Sequence, residues 1–317
     1  MNNYFFELKT QSLDKIKLLK DNMQSTFSFD SSFNKKICVF TCGSLGRLEM
    51  SNNSDLDLFF IIDSNEPKPV SNLDKYNFFS KMYDINKKNQ FPEPSKQGEY
   101  WEFIKKENLL DIGSRNEDFN NSFTARMLLM LESRPLYNEE LYNKIVDNIV
   151  EKYFVDYEKH SDNFYPLFLI NDILRYWYTL ALNYEYRRDP LDDENKKNWK
   201  RLKLKFARLI TCYSMIACLF KPQLTPEDVK KYMLLTPFER INELETFVPD
   251  INSIISRIKT EYKWYMDLRK YDINWWTIKN KNEAFKKADE FHQLVIHELM
   301  KKVSETNSVL KEKLDLY

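Results

Sequence analysis

Only four glycines occur in 317 residues, Gly43, Gly46, Gly98 and Gly113, and two of them stand three apart. Average usage is about 7%, so a chain this poor in glycine keeps it where the backbone needs a conformation or a close approach that a side chain forbids. The pair sits between Ile37-Cys-Val-Phe-Thr41 and Leu56-Asp-Leu-Phe-Phe-Ile-Ile62. Both β-branched and aromatic runs read as strands, which makes Gly43 to Ser54 their connection. The same scarcity removes other phosphate sites, since no GxxxxGKS/T loop and no GxGxxG turn is present.

Elsewhere the apolar spacing is helical. Leu13, Ile16 and Leu19 predict a helix over about 9–26, and a second is predicted over 73–85. Gln90-Phe-Pro-Glu-Pro-Ser95 should be extended, because proline pushes its predecessor out of the α region; it reads as an edge strand or an extended loop. Beyond about residue 118 strand signals stop, and helices are predicted over 123–132, 141–157, 168–186, 199–220, 251–268 and 282–303. The expected class is α+β, a small mixed-sheet domain with flanking helices over 1–135 followed by an α-helical domain over 136–317.

Lys+Arg and Asp+Glu both total 48, so no global field holds a polyanion, and extended nucleic-acid binding is not indicated. Cys38, Cys42, Cys212 and Cys218 lie in apolar surroundings without a CxxC pair, which suggests neither zinc nor a disulfide framework and points to a reducing cytoplasm. The first residues lack the order of a signal peptide, and the longest apolar run, 209–220, is too short for a membrane span and reads as a buried helix.

The chemistry concentrates between the two strands. Strand alternation puts Asp55 and Asp57 on one face and Leu56 and Leu58 on the other. Two such carboxylates make part of a cage for Mg2+ or Mn2+, whose remaining ligands a nucleoside triphosphate supplies. Asp63 shares the face but lies about 20 Å from Asp57 at roughly 3.3 Å per residue, out of reach. Upstream, Gly43 and Gly46 open the backbone to an anion, Ser44 adds a hydroxyl, a short helix from about residue 45 would present its positive end, and Arg47 is a candidate phosphate fork. Taken alone, an Asp-x-Asp pair reads as well as a solvated edge, a turn cap or a sugar-nucleotide site; the Gly-Ser turn before it favours nucleotide transfer.

Thr41-Cys-Gly-Ser-Leu-Gly-Arg-Leu-Glu49 followed by Asn53-Ser-Asp-Leu-Asp-Leu58 resembles the GS…SDxD core of the DNA polymerase β nucleotidyltransferase superfamily. The form GSxGRxE…SDxD is most similar to the branch holding the PII uridylyltransferase and the glutamine-synthetase adenylyltransferase. Thr124-Ala-Arg-Met-Leu-Leu-Met-Leu-Glu-Ser-Arg134 resembles the helix after the catalytic sheet of that uridylyltransferase, so the likeness covers about 37–137. It implies a metal-dependent transfer of a nucleoside monophosphate to an acceptor hydroxyl, with a protein side chain favoured as acceptor.

It also implies a third carboxylate on a neighbouring strand. Glu93 is the first candidate, with Asp84 and Asp111 behind it; the competing reading makes Glu93 an exposed loop residue between two prolines. Superfamily members place basic residues of the helical domain over the triphosphate, which singles out Arg175, Lys205 and Arg208, although a packed helix is the default reading for Arg175 and a solvated basic face for Lys205 and Arg208. His160, His292 and His297 are wrongly spaced for a metal site, since i and i+5 do not share a helix face. No regulatory metal motif or sensor domain follows. The rival expectation is a non-catalytic nucleotide-sensing or partner-binding module on the same fold.

Overall fold

Two strands flank the glycine turn, and two more that the apolar pattern does not announce complete the sheet. The computed structural model describes residues 2–27, 31–51, 54–63, 71–94, 98, 101–113, 121–186, 193–269 and 278–315. The chain divides into two units, Met1–Lys152 and Tyr153–Tyr317. The first runs α1 (Asn2–Thr26), β1 (Ile37–Thr41), α2 (Gly43–Gly46), β2 (Leu58–Ile62), α3 (Asn72–Lys88), β3 (Phe103–Lys105), α4 (Lys106–Leu110), α5 (Ser122–Glu132), β4 (Arg134–Tyr137) and α6 (Glu139–Tyr153).

The strand order is β3-β2-β1-β4. β1 pairs antiparallel with β2, from Ile37↔Ile62 to Thr41↔Leu58, and antiparallel with β4, with a register shift between Val39 and Phe40. β3 pairs parallel with β2, Phe60 opposite Phe103. The sheet is therefore mixed, in an α+β chain.

One sheet face, built by Ile37, Val39, Leu58, Phe60 and Ile62, packs with Ile16, Leu19, Met23 and Phe27 of α1 and its following residue, and with Phe78, Met82 and Ile85 of α3. Those spacings of three and four put each helix's apolar side chains on one stripe. Each buried side chain of this kind contributes about 1.5–3 kcal/mol. On the opposite face Phe40 stacks on Phe59 with ring centroids 5.4 Å apart and meets Tyr142 of α6 at 6.3 Å. α5 is buried at every position but Thr124.

Of the two readings of Gln90 to Ser95, the loop holds for Phe91 to Pro94, which form no strand, and residues 95–97 lie outside the described residues; the strand beside β2 is β3. Two expectations are corrected. β4 exists although it carries Pro135, which an edge strand tolerates because one side needs no ladder donor. The division falls after Lys152 instead of near 135, because β4 closes the sheet and α6 packs on Phe40.

The second unit contains α7 (Tyr157–His160), α8 (Leu167–Tyr186), α9 (Glu194–Lys203), α10 (Leu209–Cys218), α11 (Pro226–Leu234), α12 (Pro237–Glu243), α13 (Asn252–Leu268), α14 (Ile278–Gln293), α15 (Met300–Ser304) and α16 (Ser308–Asp315). The expected helix over 199–220 is α9 and α10 joined by a π turn, Leu204–Arg208; a second π turn, Leu294–Leu299, joins α14 to α15. Phe206 of the first π turn stacks on Tyr265 at 4.8 Å and Phe291 at 4.6 Å, forming an aromatic core. Among the described residues no helix is long and apolar enough to cross a membrane.

Candidate active site

The end of β1 delivers the chain directly to Asp57. Cys42 N–H donates to Asp57 O at 3.0 Å, and the Thr41 hydroxyl donates to the same carbonyl at 3.0 Å. Gly43 then turns with φ +66°, and a Cβ there would stand 2.2 Å from Asp57 Oδ2. Only glycine meets both demands: the left-handed backbone and a carboxylate lying against its Cα.

Gly46 answers to a different neighbour, since a Cβ would stand 1.9 Å from the carbonyl oxygen of Glu132. Glu132 also grips the turn by its side chain. Gly43 N–H donates to Oε1 at 3.3 Å, and Arg47 Nη1 donates to Oε2 at 2.6 Å. Arg47 Nε meets Glu49 Oε2 at 3.1 Å, and the three side chains are only 7, 5 and 0% exposed for Arg47, Glu49 and Glu132. Arg47 is thus buried and charge-paired inside the turn, which corrects the expectation of an outward phosphate fork. The single-turn α2 begins at Gly43, two residues earlier than expected.

From Thr41 to Glu49 only Ser44 is not buried. Its hydroxyl stands beside Gly43 and makes no hydrogen bond among the described residues. Asp55 is exposed, Leu56 buried, Asp57 half-buried and Leu58 buried, so the alternation holds although Asp55 to Asp57 precede β2 proper. Ser44, Asp55 and Asp57 are the outward residues; Gly43, Gly46, Arg47, Glu49 and Glu132 are the frame behind them. At the other end of β2, Asp63 is neutralised by Lys106 at 2.8 Å, apart from this site as expected.

None of the three candidates for a third carboxylate lies on the sheet. Glu93 is exposed in the irregular stretch after α3, and Asp84 on α3 and Asp111 after α4 are exposed off the sheet. Extending the β2–β3 register by one residue sets Glu102 beside Phe59, on the face that alternation gives to Asp57, and Glu102 is exposed. Among the described residues no three His, Cys, Asp or Glu side chains gather as a cation site.

In the second unit Arg175 pairs with Asp172 at 3.2 Å, and Tyr153 donates to the other oxygen of that carboxylate at 2.5 Å. Lys205 pairs with Asp289, and Arg208 is half-buried at the end of the π turn. All four cysteines are buried and none is in a disulfide. Burial pushes the Cys38 thiol far up and that of Cys218 up to about 12, so neither supplies a thiolate nucleophile near neutrality.

Glu132, which grips the turn, is the residue that sequence reasoning missed, and Glu102 is an acid it did not weigh. An acid closing the otherwise apolar run Met127-Leu-Leu-Met-Leu131 was the signal for the first. Comparison with protein-family models, with curated proteins and with solved structures gives no match.

Proposed function

We propose that the chain transfers a nucleoside monophosphate from a nucleoside triphosphate to an acceptor hydroxyl, releasing pyrophosphate. The observation that carries this reading is the contact of the Asp57 carboxylate with Gly43 Cα, which joins the Gly-Ser turn and the Asp-x-Asp pair into one site. Together with the GSxGRxE…SDxD resemblance, it supports a polymerase β-type nucleotidyltransferase.

Asp55 and Asp57 would hold Mg2+ or Mn2+; two hard oxygen donors on one face fit such a cation, with phosphate oxygens and water completing its shell. When bound, the cation neutralises charge on the reacting phosphate. The Ser44 hydroxyl donates to a phosphate oxygen, and Gly43 leaves room for Asp57 beside it. The acceptor oxygen attacks the α-phosphorus, its proton passes to a carboxylate, and the bond to the pyrophosphate oxygen breaks. Glu102 replaces Glu93 as the candidate for the acid that accepts the proton, because the β2–β3 register extended by one residue gives it the Asp57 face, although it gathers with Asp55 and Asp57 in no cation site. A protein side chain remains the favoured acceptor, given the resemblance and the zero net charge. Arg175 and Lys205 each face an acid of their own unit, so the reading rests on first-unit residues alone.

A second reading, nucleotide binding without turnover, is favoured by one observation: no third acid joins Asp55 and Asp57 among the described residues. Incubation with each α-labelled triphosphate, Mg2+ and cell lysate separates the two. Label transferred to a protein, RNA or small molecule supports transfer; nucleotide binding without label on any acceptor supports the sensor.

A further inference from the structure

A cleft of about 390 Å3 opens in the first unit behind the loop that carries Asp55, lined by Gln11, Lys15, Met50, Ser51, Ser54 and Asn89 to Phe91. That volume falls within the range of small-molecule sites. Among the described residues no Asp or Glu lines it. Lys15 donates to Asn89 O at 2.9 Å and its ammonium lies 4.8 Å from the centre of the Phe91 ring. Two of its three donor positions remain, and among the described residues no carboxylate forms an ion pair with it. Gln11 stands one turn earlier on the same face of α1. The Ser51 and Ser54 hydroxyls, hydrogen-bonded to each other at 3.2 Å, belong to the same lining.

We propose that this cleft binds a small organic oxyanion, a carboxylate or a phosphate ester, with the charged head on Lys15 and the remainder against Met50 and Phe91. The Lys15 ammonium and the Gln11 amide, with no acid among the described lining residues, form a donor-rich wall that suits an acceptor-only head group, and the hydrogen-bonded Ser51–Ser54 pair adds polar lining. The volume exceeds what a bare anion fills, and the apolar lining accommodates carbon. Partial burial holds the Lys15 ammonium below its ordinary value, so an anion beside it relieves a cost that the empty cleft carries.

The occupant would also brace the route to Asp55. Ser51 N–H donates to Ser54 Oγ and Ser54 N–H to Ser51 O, both at 3.0 Å, and Met50 N–H donates to the buried Ser12 hydroxyl at 3.1 Å. A ligand beside Ser54 therefore acts one residue from Asp55. This consequence rests on the nucleotidyltransferase reading; the binding does not.

Inorganic phosphate and acetate, titrated separately into the full chain with methyl-labelled methionine, test it through the Met50 methyl signal, assigned with Met50→Leu. The expected result is a saturable shift with at least one anion, phosphate marking an ester head and acetate a carboxylate. Lys15→Met should weaken it at least tenfold, about 1.4 kcal/mol, and Lys15→Arg should retain it, with the other methionine signals of both variants unmoved. No saturable shift with either anion, or an equal affinity in Lys15→Met, would overturn the proposal. The readout needs no turnover, so it stands or falls apart from the proposed activity.

Discussion

The turn beginning at Gly43 and the two aspartates beside it handle charge in opposite ways. In the turn, Arg47 is sealed between Glu49 and Glu132, and the charges serve one another. At the rim, Asp55 is exposed and Asp57 half-buried. The difference teaches which residues hold the site and which can act on a ligand. Buried ion pairs are costly to break, because removing one partner strands the other in low dielectric, whereas an exposed acid can be neutralised in place with little effect on folding. Frame substitutions should therefore appear first in stability and rim substitutions first in chemistry.

The largest effect on stability is expected from Arg47→Met, which leaves two buried glutamates without their cation. Urea unfolding should show a loss of about 3–5 kcal/mol; an unchanged midpoint would mean that the guanidinium is not committed to the turn. Gly46→Ala comes next, since the Glu132 carbonyl or α2 must move to admit a methyl group 1.9 Å away. About 1–3 kcal/mol is the cost of such overpacking. Gly43→Ala should lose less, about 1–2 kcal/mol for a left-handed alanine, yet it sharpens the comparison most. Its methyl displaces the Asp57 carboxylate, so turnover should fall by more than the stability loss explains, as measured on the folded fraction. The smallest effect is reserved for Glu93→Gln, which should change neither stability nor turnover, while Glu102→Gln slows turnover about a hundredfold, roughly 2.7 kcal/mol.

Much of this frame was legible from local signals. Two β-branched runs and a rare glycine pair mark β1, β2 and the turn, and alternation alone assigns Leu56 and Leu58 inward and the aspartates outward. The rest depended on partners distant in sequence. Arg47 resembles a phosphate ligand until Glu132, 85 residues later, claims its Nη1. β3 is three residues long, between Glu102 and Lys106, and leads straight into α4, too short for a period-two pattern to register. Pro135 disguised β4, and proline bracketing made Glu93 look extended. Two helices, by contrast, were written plainly and overlooked. Thr225-Pro-Glu-Asp228 and Thr236-Pro-Phe-Glu239 each carry a capping box with proline at the first position, and α11 and α12 follow.

The central claim is that Asp57 acts at the rim and not in the frame, and Asp57→Asn tests it most directly. Its unfolding midpoint and its turnover of an α-labelled triphosphate should be measured on the same preparation, with Mg2+ in excess. The account predicts wild-type stability and turnover slowed about a thousandfold, a loss of roughly 4 kcal/mol of transition-state stabilisation. Turnover above about a tenth of wild type, a change under roughly 1.4 kcal/mol, would contradict it.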